Sequence, residues 1–217
     1  MIRIAHRGAN KTFRAPTCAA LLGLAMFGGC ADSLLPRPAP PPALFALDDS
    51  ARPAPAGPPA VASAPTLVVN PPRAAAGFES AHIVYLRRPH EIEFFAYSQW
   101  VDAPAQMLAP LIVGAIERTG AFRAVLRAPT AAAAELRLDT ELIRLQQDFT
   151  SSPSHVQLTL RAVLIETGTR RVVAVREFDA SVPAPSDDTQ GGVAAANQAV
   201  QRVLAELAKF TADAARR

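Results

Sequence analysis

Few side chains in this 217-residue chain are placed to do chemistry, and the first of them is a thiol. Cys30 follows an apolar segment, Cys18–Phe27, through the small pair Gly28-Gly29, which sets it at a processing boundary for acylation of its sulfur. Beyond that point the histidines are His82, His90 and His155, and none lies in an H-x-x-x-H ligand pattern. Ser151-Ser152-Pro153-Ser154 is a cluster of hydroxyls in a turn, without the glycine-flanked elbow that activates a hydrolase serine. Glu91 and Glu93 share one strand face and have the spacing for general acid–base work; they read as the solvated side of a hairpin. Asp187-Asp188 precedes the last helix, where Asp188 or Thr189 would cap it. No glycine-rich phosphate loop occurs. These residues predict no catalytic set, no metal site and no cofactor beyond a covalent lipid on Cys30.

The context of Cys30 supports that lipid. Arg3, Arg7, Lys11 and Arg14 precede the apolar segment with no acidic residue among them, and proline and alanine take over after it. A basic region, a short apolar core and small residues before the cut form a secretory signal, expected over residues 1–29. Ending the signal on cysteine resembles a bacterial lipobox, although Phe27 stands where Leu, Val or Ile is usual. A cleaved signal with an incidental cysteine is the alternative. The segment has about half the ~20 residues that a spanning helix needs. Each buried methylene adds about 0.8 kcal/mol, so several acyl chains on one residue anchor a protein firmly.

The formal charge of +3 belongs to the leader. Without its four cations, 18 Lys+Arg face 19 Asp+Glu, which gives no reason to expect nucleic-acid binding. Cys18 lies inside the signal. The mature domain is therefore expected to lack disulfides and thiolate metal sites, and to stand on its own core.

Residues 30–65 hold half of the 20 prolines and read as a lipid-anchored Pro/Ala-rich tether. Leu44-Phe45-Ala46-Leu47 interrupts it, either as an edge strand docking back on the domain or as an apolar spot in a linker. The domain, residues 66–217, opens with a strand at Thr66–Asn70. A hairpin follows from Ile83–Arg87 and Glu91–Ala96. A helix over Ala103–Thr119 has Asp102 as expected N-cap, Pro104 in its first turn and Gly120 as its stop. Phe122–Leu126 is a further strand. Glu135–Gln147, Ser154–Glu166 and Arg170–Val182 alternate as an antiparallel meander, with a bulge expected at Leu142-Ile143. An amphipathic helix from about Gly192 to Asp213 closes the chain. The fold class is α/β of α+β character: one domain, with a mixed, largely antiparallel sheet packed by a middle and a C-terminal helix.

Three aromatics are candidates for partner docking. Trp100 precedes the middle helix and is either a core anchor or an exposed contact. Phe94 and Phe95 are consecutive on a strand, so they point to opposite faces; if one enters the core, the other needs a helix or a partner.

The order of these parts resembles the ABC-type transport auxiliary lipoprotein family. The parts are lipobox, tether, apolar strand, Val68-Val-Asn-Pro-Pro72, hairpin, Tyr97-Ser-Gln-Trp100, and a helix ending in Gly120-Ala-Phe-Arg-Ala-Val125. Members accompany MCE-domain lipid-transport systems, such as the third protein of the Pqi operons. Phe45-Ala46-Leu47 occupies the family's Tyr-x-Leu position, and the Pro/Ala insertion before Thr66 is unusually long. The resemblance implies a three-layer-like α/β fold and a non-enzymatic lipoprotein that docks an MCE protein to move lipid between membranes. Only Cys30 carries over as a defined site. The partners implied are an MCE-domain protein and the membrane through the anchor, with homo-oligomerisation left open. A stand-alone outer-membrane lipoprotein with a structural role is the alternative. Ala31 after the cysteine, with Asp32 one further on, points to the outer membrane facing the periplasm, the inner membrane being the alternative.

Overall fold

The computed structural model describes residues 40–48 and 63–216; Cys30, the leader, and residues 31–39 and 49–62 of the expected tether lie outside them. Pro41–Arg217 form one compact unit. Its elements are β1 (Ala43–Phe45), β2 (Thr66–Val69), β3 (Arg73–Ala74), β4 (His82–Arg88), β5 (Glu91–Trp100) and α1 (Pro104–Glu117). β6 (Ala124–Arg127), β7 (Leu136–Asp148), β8 (His155–Glu166), β9 (Val172–Pro183) and α2 (Thr189–Ala215) follow. Nine strands form one mixed sheet.

β7 organises the sheet. One of its edges carries β8 antiparallel along its whole length, and β8 in turn carries β9. The other edge is shared end to end by three parallel strands: β2 against Leu136–Leu138, β3 against Glu141–Leu142 and β4 against Gln146–Asp148. β5 pairs antiparallel with β4, while β6 pairs parallel with β2 and β1 parallel with β5. The expected meander, hairpin and docked apolar strand are all present; β3 is an addition that two residues of sequence could not announce.

Two irregularities decide which side chains go inward. Leu142 faces Leu160 and Arg144 faces Thr159, so Ile143 is the extra residue of the expected bulge. Before it the even positions Leu136, Leu138 and Leu142 join the core, and after it the odd position Leu145 does, with Gln147 on its side; Gln146 and Asp148 on the other face are buried as well. In β5, two residues of β4 (His82 to Val84) span five, Gln99 to Phe94. Three extra residues reverse the alternation, which turns Trp100 inward although Phe94, at the same parity, stays outside.

Both helices contribute to a single core, where Leu108, Ile112 and Ile116 of α1 meet Val200, Val203, Leu204 and Leu207 of α2. They touch each other and lie on one side of the sheet, so the arrangement has two layers rather than the three-layer-like one expected. Phe178 of β9, 1% exposed, packs edge-on to Phe210 of α2 at 5.6 Å. The helix ends correct two expectations. Ala103, not Asp102, is the N-cap of α1, with no side-chain cap; the Asp102 carboxylate accepts from the Ala103 amide instead. α2 begins earlier than expected, at Thr189, because Asp188 caps it by accepting from Gly191 N at 2.7 Å. The strand expected at Phe122–Leu126 starts at Ala124, and Phe122 is buried in the loop before it. Gly120 ends the α1 region at φ 62°, a left-handed conformation natural to glycine.

Candidate functional site

Closure of the β7–β8 hairpin gathers groups that look unrelated in sequence. Asp148 faces His155 across the ladder, and Ser151 lies in the turn between them. Ser151 Oγ is 3.1 Å from His155 Nδ1, and Asp148 Oδ2 is 3.9 Å from His155 Nε2. A serine, a histidine and an aspartate at such distances invite a nucleophile reading. The amides beside them argue against it. Gln146 Nε2 donates to Gln157 Oε1, which orients Gln157 so that its Nε2 donates to His155 Nε2 at 3.1 Å. His155 Nε2 then accepts, leaving the proton on Nδ1, aimed at Ser151 Oγ. A ring that already donates to the serine cannot take the serine's proton. Asp148 is held by Thr150, whose amide and hydroxyl both donate to it. Burial pushes the Asp148 carboxyl up, but these bonds together with the Arg144 charge outweigh it, so it titrates below its ordinary range. The cluster closes a hairpin.

The other carboxylates are also occupied. Glu91 pairs with Arg88 at 3.1 Å, and Glu93 accepts from the Tyr85 hydroxyl at 2.9 Å, a bond that raises the Tyr85 pKa. Their partners differ, so they do not act as an acid–base couple. Asp187 Oδ1 accepts from Ser154 N at 2.7 Å, and Asp188 caps α2. His82 is exposed with its ring 4.9 Å from that of Phe94, and His90 forms the β4–β5 turn at φ 68°. Among the described residues no three His, Cys, Asp or Glu side chains are grouped to hold a metal ion, and no helix is long and apolar enough to cross a membrane.

A buried polar group was missed in sequence. Gln147, 2% exposed, donates to Ser154 Oγ at 2.9 Å and to Asp188 O at 3.2 Å, which pins the sheet to the start of α2. A Cβ on Gly192 would stand 2.1 Å from Gln147 Oε1. The only sequence signal is Gly191-Gly192 inside a helix, where glycine is costly without a steric reason.

The three docking aromatics separate. Trp100 is 3% exposed and serves the core, so the contact reading of this residue gives way to the anchor reading. Phe95 is half-buried against Tyr85 at 4.5 Å and against Phe149 at 6.4 Å. Phe94 remains exposed, as does Ile92 two residues before it on β5. The rest of the helix-free face carries charges in alternating sign. Arg73, Glu141, Arg161 and Glu177 face one another in sequence across β3, β7, β8 and β9. A cleft of about 490 Å³ lies on this ladder, lined by Asn70, Arg73, Asp139, Glu141 and Arg161. Each guanidinium in it has a carboxylate on the next strand, so the cleft concentrates neither anions nor cations.

Fold and surface together define a two-layer α+β domain with one face of its sheet covered by helices and the other left charged and open. The chain belongs to the family of ABC-type transport auxiliary lipoprotein components, whose family model matches residues 45–208. Membership gives it an auxiliary role in ABC-type transport and an envelope lipoprotein's place at a membrane, as the sequence resemblance implied. The crystal structure of protein XCC0632 from Xanthomonas campestris is similar, at 29% identity and a TM-score of 0.71, over 80% of this chain and 96% of that one. A second crystal structure, of an uncharacterized protein, shares the fold at 13% identity and a TM-score of 0.61, over 79% and 99%. No curated protein matches the chain.

Proposed function

We propose that this protein is the lipid-anchored, non-enzymatic component of an MCE-type lipid-transport system, and that it works by docking an MCE-domain protein. The observation that carries this reading is the family match over residues 45–208, joined to an expected leader, residues 1–29, that stops just before Cys30. Two features support docking over catalysis. Ser151, His155 and Asp148 are engaged with one another in closing a hairpin, and a whole sheet face is left without a helix. Phe94, the exposed member of the aromatic set, is the side chain offered to the partner.

Co-purification of the full chain with an MCE-domain protein from the same cells tests the reading. A complex at micromolar concentration is expected, weakened at least tenfold by Phe94→Ser. A folded protein that forms no complex would leave the stand-alone lipoprotein reading in its place. Ala31 directs the protein to the outer membrane, facing the periplasm. Fractionation should move Ala31→Asp to the inner membrane, and an unchanged distribution would refute this sorting.

A further inference from the structure

The apolar island in the tether is bound to the domain at every step. β1 adds parallel to the end of β5, with Phe45 opposite Trp100, and Val101 N donates to Phe45 O at 2.8 Å. Leu47 is buried, 6% exposed, and its amide points at Met107 Sδ of α1 at 3.5 Å. Asn197 of α2 then grips the backbone from both sides. Its Oδ1 accepts from Asp48 N at 2.9 Å, and its Nδ2 donates to Ala46 O at 3.4 Å. The chain re-enters the fold on the far side of the Pro/Ala run, where Ala64 is buried, Arg123 N donates to Pro65 O and Thr66 N donates to Glu135.

We propose that residues 43–48 are a strap that sets the working length of the membrane leash. Only residues 31–42 then separate Cys30 from the domain, while residues 49–62 connect two points that the domain itself holds. This rests on the lipid-anchor reading of Cys30. The difference is large. Thirteen steps of extended chain from Cys30 to Ala43 reach at most about 45 Å, whereas an unstrapped chain from Cys30 to Thr66 would reach about 120 Å. The strap therefore divides one proline-rich stretch into a short leash that fixes reach and a segment that does not. Its hold is modest in size: three strand residues, one buried leucine and one asparagine. A strap of that kind can be released by point substitutions without dismantling the core beneath it.

The test places a ten-residue Gly/Ser insertion either between Ala39 and Pro40 or between Ala56 and Gly57 of the full, lipidated chain. A donor dye at Val175→Cys, on an exposed site of β9, reports energy transfer to acceptor lipids in phosphatidylethanolamine/phosphatidylglycerol vesicles. Lipidation occupies Cys30 and the leader takes Cys18, so the introduced thiol is the only one to label. The first insertion should lower transfer, because it lengthens the leash by a flexible segment whose own end-to-end distance is roughly 17 Å. The second should leave transfer unchanged. In a Leu47→Asp/Asn197→Ala background, both insertions should lower it. Equal effects of the two insertions in the unaltered background overturn the strap while leaving the anchor standing. If the unaltered chain does not sediment with the vesicles, the anchor reading fails and takes the strap with it.

Discussion

Gly192 and Gln147 show how much one position can fix. Gly192→Ala would drive a methyl into the Gln147 amide, whose two donor bonds tie β7 to β8 and to the cap of α2. Losing those bonds from a buried amide costs about 1–3 kcal/mol. Urea unfolding should show that loss for Gly192→Ala, and a neighbour that simply adjusts would show none. The aromatics give the opposite pair of expectations. Trp100→Ala empties a buried site and should cost about 3–5 kcal/mol, while Phe94→Ala, on the surface, should stay within about 0.5 kcal/mol. Equal effects would mean that Phe94 is packed rather than presented.

At the level of elements, the start of α2 carries two neighbouring carboxyls that make it sensitive to pH. The Ser154 amide holds Asp187 below its ordinary range, and the Gly191 amide does the same for Asp188. A carboxyl with a depressed folded pKa stabilises the fold above its unfolded pKa, and that contribution disappears as pH falls through the folded value. Stability should therefore be flat from neutral pH down to the ordinary carboxylate range and fall below it, with amide exchange at Gly191 rising first. Asp188→Asn keeps an acceptor at the cap and should flatten that fall; an unaltered pH profile would place the sensitivity elsewhere. β7 makes a sharper prediction. Deleting Ile143 removes the bulge and moves Leu145 and Gln147 to the open face while Arg144 and Gln146 turn inward. Circular dichroism should then report a chain that no longer folds cooperatively, and a native-like melt would contradict the role given to the bulge.

For the whole molecule, the proposed lipid anchor at Cys30 lies outside the domain and carries the prediction about location. Cys30→Ala should leave the domain's unfolding transition unchanged and release it from the membrane fraction of cells. Persistent membrane association would remove the lipid anchor from the account. The strap adds a consequence for reach. Linker changes matter on the anchor side of Ala43 and are absorbed on the other side of Asp48, so similar Pro/Ala sequence has two mechanical roles.

Local pattern was enough to determine the hairpin, the meander, the bulge at Ile143 and the two helices. Each depends on periodicity, turn residues or charge over a few neighbouring positions, which sequence carries directly. Tertiary structure decided the rest. Three parallel strands share one edge of β7, and a triple insertion in β5 sends Trp100 inward while Phe94 stays exposed. Hairpin closure sets Asp148 against His155, and Asn197 reaches back 151 positions to hold Ala46. Such pairings depend on which backbones are brought side by side, and no short window of sequence contains both partners.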